Sequence, residues 1–154
     1  MKNTGVRYQH DFVPDLANTY TTTGKGKTIV NDMPVYFENW YAAGAAYSTT
    51  PDLLKFVDAL YGGKLLKPES LDQMLKPGLD GYGFGVWIGE ADFGGKQYRA
   101  VNRPGRIMGA NASLRHFNGI GFDTALNIII LSNTNATDLD GFSWQIGKTL
   151  LDKP

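Results

Sequence analysis

The stretch VNRPGRIMGANASL, Val101 to Leu114, sets two arginines, two glycines, a proline and two asparagines between Tyr98-Arg99-Ala100 and Arg115-His116. Glycine lets a backbone approach a ligand closely, and guanidinium binds carboxylate or phosphate in a forked geometry. Three chemistries compete for such a segment: a phosphate cradle, a plain hairpin, or the wall of an active site.

Other candidate signals fall away on spacing. In GKGKT, residues 24–28, the first glycine of a phosphate-binding P-loop would have to stand at Thr21, and no buried strand precedes it. DLDG at 138–141 lacks the further oxygen ligands and distal Glu of a calcium loop, so it reads as a helix N-cap with an acidic first turn. His10 and His116 lie far apart with no paired ligand, and neither points to a metal. Asn111-Ala112-Ser113 and Asn135-Ala136-Thr137 match the glycosylation triplet, a pattern too short to decide anything. There is no G-x-S-x-G elbow, no S-x-x-K pair and no Y-x-N or S-x-N triplet, so no serine sits beside an identifiable base.

Bulk properties narrow the classes further. Fifteen basic and fifteen acidic residues cancel, without long like-charge runs, which excludes the electrostatic footprint of a nucleic-acid binder. The absence of cysteine excludes disulfides, thiol nucleophiles and zinc–thiolate sites. MKNTGVRYQHDF has neither the apolar core nor the cleavage site of a signal peptide, and no apolar run is long enough to span a membrane. With 154 residues and 42% apolar content, one domain is expected.

The elements that must position any site follow from periodicity. Residues 1–47 are loop-rich, with TYTTTGKGKTIVND holding one short strand. In STTPDLLKFVDALYGG, Thr50 is the expected N-cap, Pro51 fits the first turn, and Leu53 to Tyr61 carry helical spacing that Gly62-Gly63 stops. KPESLDQMLKPG gives a second short helix from Pro68, with Leu71, Met74 and Leu75 inward and Pro77-Gly78 ending it. These two helices make a helical segment over 48–78.

After Gly78 the period drops to two. GYGFGVWIG reads as a strand with Tyr82, Phe84, Val86 and Ile88 on one face and close packing over its glycine face. KQYRAVN, GANASLRHF and TALNIIILSN follow as strands joined by short turns, the last apolar on both faces and hence expected to be central. DLDGFSWQIGKTLLDK returns to helical period with Leu139, Phe142, Ile146 and Leu150 on one stripe. The expected class is α+β: two shorter helices, then over 79–154 an antiparallel sheet of about four strands with a C-terminal helix on one face.

The run AAGAAYSTTPDLLKFVDALYGGKLLKPESLDQML, then GYGFGVWI, a motif strand, NIIILSNTN and a terminal helix resembles the C-terminal part of the serine β-lactamase family. The branch is that of class C β-lactamases, D-alanyl-D-alanine carboxypeptidases and penicillin-binding-protein-like esterases. Met1 to Gly5 is similar to that family's GMKNTG segment, Asp15 to Tyr20 to its LAxGY, and Ala43 to Leu53 to its AGGLYST..DL. The resemblance covers nearly the whole chain and implies a partial β-lactamase/transpeptidase-like fold, with residues 1–154 as the C-terminal part of the domain.

The resemblance further implies acyl-enzyme chemistry on D-alanyl peptides, β-lactams or small esters, with no cofactor and no metal. The family's nucleophilic Ser, its Lys and its Tyr base all fall before the point where this chain begins, so the chain alone is expected to be inactive. The third motif, H-x-G-G-x-x-G, lands on the stretch from Asn102, with Asn102 where a cation stands and Pro104 where a close-approach glycine stands. In this register only Gly105 matches, and Gly109 lies one residue past the motif's last glycine. Asn is neutral and Pro lacks an N–H, so the polarising and docking roles of that strand are weakened. The catalytic-motif positions are thus Asn102, Arg103 and Pro104, and the substrate-binding candidates Asn102, Gly105 and Arg106. Arg103 or Arg106 either restores positive charge for a substrate carboxylate or faces solvent at a strand end.

The expected partners are the N-terminal part of the same protein, a second copy through strand or segment exchange, and a peptide or β-lactam-like small molecule in the full-length protein. Uncovered surface is expected at Gly83 and Gly85, on the helix over 51–61 and around Phe142 and Trp144, unless the loop over 11–40 folds back as a cap. The competing reading is a non-catalytic module of the same fold, a dead sensor or one in which Trp40, Tyr41, Trp87 and Tyr98 line a groove for peptide or glycan. Full-length relatives are often extracytoplasmic, and the compartment of this chain stays open.

Overall fold

A computed structural model describes residues 1–23 and 28–152 of the chain, so residues 24–27 of the GKGKT segment lie outside the described residues. The first 47 residues carry more strand than expected. Gly5–Val6 (β1), Tyr20–Thr23 (β2), Thr28–Asn31 (β3) and Ala46–Tyr47 (β4) pair antiparallel as β1 with β4 and β2 with β3. Two 3₁₀ turns, Phe37–Asn39 and Tyr41–Ala43, precede β4.

Thr50–Tyr61 forms α1, with Pro51 and Asp52 in its first turn. The backbone turns from extended to helical at Thr49 (φ −122°, ψ 157°), so the N-cap is Thr49 and not Thr50. No side chain caps the helix; the Thr49 carbonyl instead accepts from the amides of Asp52 and Leu53. Gly62 and Gly63 end the helix, Gly63 at φ 71°. Pro68–Met74 forms α2, which stops before Pro77 because the Met74 carbonyl accepts from the Phe84 amide, 3.1 Å away.

The strand expected over GYGFGVWIG is displaced. Leu79–Gly81 is a 3₁₀ turn, Gly81 and Gly85 take φ 76° and 81°, and regular pairing starts only at Trp87. Positive φ breaks the alternation, so Phe84 stands 75% exposed where the period placed it inward. Close packing does exist at Gly83, where a Cβ would meet the Met74 carbonyl and Ile88, whereas one at Gly85 would meet open space.

From there the chain runs as one antiparallel meander, β5 (Trp87–Phe93), β6 (Lys96–Ile107), β7 (Ala110–Gly119) and β8 (Ala125–Ser132), in the spatial order β5-β6-β7-β8. The β5–β6 turn is Gly94-Gly95 at φ 60° and 74°, the left-handed pair that a two-residue hairpin demands. β8, expected to be central, is one of the two edge strands of this sheet among the described residues. Its two apolar faces have another cause, since α1 packs on one side of it and the last helix, α3 (Leu139–Leu151), on the other.

α3 is capped by Asp138, whose Oδ1 accepts from the Gly141 amide at 3.1 Å. Its buried residues are Leu139, Ser143 and Gly147; of the expected Leu139-Phe142-Ile146-Leu150 stripe, Leu139 is buried and Ile146 packs against the core. Phe142 and Leu150 stay about half exposed because Phe117 fills the space over Gly147, drawing that face onto the sheet. Beneath α3, Ala91, Phe93, Tyr98, Ala100, Phe117 and Ile128 form the core, with Trp144 tilted against Phe93 and edge-on to Phe117 at 5.6 and 5.7 Å. The expected α+β class, with three helices and a four-stranded antiparallel sheet, is the observed one.

Candidate functional site

The motif stretch lies where β6 outruns its neighbour. β5 pairs with β6 only as far as Trp87 opposite Asn102, so residues 103–107 have β7 on one side and no strand on the other among the described residues. An edge tolerates Pro104, whose ring nitrogen has no hydrogen to donate to a ladder. Strand alternation sends Asn102, Pro104 and Arg106 toward the α3 side, and Arg103 and Gly105 toward the α1 side.

Asn102 is only 6% exposed. Its Nδ2 donates to Asp140 Oδ1 at 2.7 Å, and its Oδ1 accepts from Ser113 Oγ at 3.2 Å. Arg103 is exposed and reaches the Tyr82 hydroxyl at 3.4 Å, while Arg106 donates to the Asn135 carbonyl at 3.2 Å. The two guanidinium groups stand on opposite faces and do not converge. Gly105 is exposed, with only Ala112 near its Cβ position. Gly109 is buried, because a Cβ there would land on the Tyr20 backbone.

Around Asn102 the structure assembles groups that sequence reasoning missed. Arg115 stands directly opposite Asn102 in register, 5% exposed, donating through Nε to Ser143 Oγ at 2.8 Å and through Nη2 to Asp140 Oδ1. Its guanidinium carbon lies 5.2 Å from the centre of the Trp144 ring. Burial pulls the Arg115 pKa below its ordinary value, and the Asp140 carboxylate opposes that pull. The available signal was polar residues two apart, Ser113 and Arg115, on the same strand face as Phe117, matched by Asp140 and Ser143 three apart on a helix. These groups end a cavity of about 420 Å³ that also touches Trp87, Gly89, Ala100, Pro104 and Trp144.

The opposite face of the sheet holds a second cavity of about 390 Å³ beneath α1 and α2. There His116, 7% exposed, stacks on Tyr61 at 3.7 Å between ring centres and bonds through Nδ1 to Asn127 Oδ1 at 2.7 Å. Asn127 in turn donates to Asp58 at 2.9 Å. Burial lowers the His116 pKa, partly offset by Asn127 and Asp58, and raises the Tyr61 hydroxyl to about 12. His10 lies far along the chain in an exposed loop. The groove expected from Trp40, Tyr41, Trp87 and Tyr98 does not form, because Tyr98 is a 2%-exposed core residue between Phe93 and Phe122.

No protein-family profile matches the chain, and no curated protein matches its sequence. Among solved structures, it is similar to a penicillin binding protein from Bacillus halodurans, with a TM-score of 0.70 and 20% identity. The match covers 95% of this chain and 44% of that one, so the chain spans less than half of its neighbour's length. The chain therefore has the fold of part of a penicillin-binding-protein-like protein.

Proposed function

We propose that the chain supplies one wall of a serine hydrolase of the class C β-lactamase and D-alanyl-D-alanine carboxypeptidase branch, and that by itself it does not turn over. The substrate class is a D-alanyl peptide, a β-lactam or a small ester, opened through an acyl-enzyme. The observation that carries this reading is a likeness spanning 95% of this chain yet 44% of a penicillin binding protein. Among the described residues, the serines nearest the motif strand have no base beside them. Ser113 and Ser143, the serines nearest the motif strand, are 1% and 0% exposed. Their polar neighbours are Asn102, Arg115, each other and the Asp140 carbonyl, none of which takes a proton from a hydroxyl.

In this reading Asn102, Arg103 and Pro104 hold the third-motif positions, and the open edge over 103–107 borders the substrate. Asn102 brings no charge there, and the Arg115 charge beside it is matched by Asp140. The missing part of the site comes from the N-terminal part of the same protein, whose strands would continue the sheet at β8. The exposed area supports this: 10234 Å² against roughly 7,700 Å² for a compact monomer of this mass. Ile129, Ile130 and Leu131 lie on the edge strand β8 with 41% of Leu131 exposed, an edge of the kind that pairs with another chain.

Incubation with a fluorescent penicillin and a chromogenic β-lactam tests the reading. The chain alone is expected to take no label and release no colour, and a longer protein carrying S-x-x-K and Y-x-N ahead of it is expected to be labelled on that added serine. Stoichiometric labelling of a serine within this chain contradicts the assignment.

A further inference from the structure

We infer that the cavity between β5, β6 and α3 binds a neutral saccharide ring. Its floor is two small residues directly opposite one another, Gly89 and Ala100, and a Cβ added at Gly89 would meet nothing within 4 Å. Its flanks are the indoles of Trp87, 44% exposed, and Trp144. Its polar end is Arg115 with Asp140. A volume of about 420 Å³ holds one or two sugar rings rather than an extended chain.

The polar end fixes the ligand's charge and pattern. Arg115 commits Nε to Ser143 and Nη2 to Asp140, and its Nη1 has no hydrogen-bond partner among the described residues. Asp140 commits Oδ1 to Asn102 and Arg115, and its Oδ2 has no such partner either. Arg115 and Asp140 thus each keep one uncommitted group, a donor and an acceptor, on an ion pair whose charges cancel. An anionic ligand meets the Asp140 carboxylate and a cationic one meets the guanidinium. A vicinal diol satisfies both, one hydroxyl accepting from Arg115 and its neighbour donating to Asp140. The C–H faces of a pyranose ring carry weak positive charge and pack on the negative face of an indole. The site uses no serine and does not depend on the acyl-enzyme reading.

Saturation-transfer NMR on the whole chain tests this with cellobiose and N,N′-diacetylchitobiose as neutral probes, and glucuronate and glucosamine as charged ones. The neutral sugars are expected to receive saturation from aromatic protons with dissociation constants below roughly 10 mM. Gly89→Leu, which fills open space and leaves the melting curve unchanged, and Trp87→Ala are each expected to weaken binding at least tenfold. Asp140→Asn leaves the Arg115 charge unmatched and is expected to shift preference toward glucuronate. No transfer to either neutral sugar overturns the inference. So does equal binding by folded Gly89→Leu protein, or a preference of the unaltered chain for a charged sugar.

Discussion

Residues 1–47 and residues 87–152 hold themselves in place by different means. The second region has a core: Phe93, Tyr98 and Phe117 are each at most 3% exposed, with Phe93 and Phe117 in edge contact at 5.4 Å under Trp144. The first has almost none, Ala45 being its only buried residue among those described. Polar ties to the rest of the chain take the place of a core. The Asn3 amide and Thr4 hydroxyl bond to Asp52 at 2.7 and 3.1 Å, the Gly109 amide to Asp32 at 2.8 Å, and the Tyr20 amide to the Asn133 carbonyl at 2.8 Å. Exchanging hydrogen bonds with water for internal ones yields little net stability, whereas burying aromatic area yields much. The sheet is thus held by its own core, and the N-terminal segment by its ties to the rest of the chain.

The largest effect that follows is on the core. Phe117→Ala, at a 0%-exposed site, is expected to cost about 3–5 kcal/mol, read from the urea midpoint, and to unfold both regions together. Gly109→Ala acts at the seam between them. Its Cβ meets the Tyr20 backbone, so an overpacking cost of about 1–3 kcal/mol is expected. Hydrogen exchange should then quicken at Tyr20 and Thr22 while β7 stays protected. Equal quickening in β7 would show that the two regions form one cooperative unit.

Acid separates the regions in another way. The backbone bond from Asn3, aided by Lys55 and Thr4 against the opposing desolvation, holds the Asp52 pKa below its ordinary 3.8. Its stabilisation is full above that value and is lost as pH falls through the lower folded value, so the β1–β4 ribbon should loosen there first. His116 acts from a higher pH. Burial holds its pKa below 6.5 in the fold, so the unfolded chain binds its proton first and stability falls as pH drops from 6.5 toward the folded value. His116→Phe keeps a ring on Tyr61 and is expected to flatten the melting temperature between pH 5 and 7; an unchanged slope would place the titration elsewhere. The smallest effect belongs to Met108, held at φ 51° in the β6–β7 turn. Met108→Asn is expected to gain about 1 kcal/mol, visible as a raised urea midpoint.

Much of this was legible in the sequence. Pro51, Gly62 and Pro68 bracket helices where local chemistry alone decides, and Gly94-Gly95 announces a hairpin that nothing overrides. Failures came where neighbours decide. The alternation in GYGFGVWIG is broken by Gly81 and Gly85 at positive φ, which period counting cannot see. The face of α3 is legible at Leu139 and Ile146 but not at Ser143 and Gly147, neither strongly apolar, which fit against Arg115 and Phe117. At the motif strand, the family resemblance points to Asn102, but its bond to Asp140, 38 residues away, depends on α3 returning over the sheet.

As proposed, this chain is the wall of a larger unit, with β8 as the joining edge. Sedimentation at micromolar concentration, with and without a separately produced N-terminal segment of the same protein, tests it most directly. The chain alone is expected to self-associate, or to convert into a one-to-one complex when the segment is added. A compact species of one chain mass that ignores the segment would contradict it.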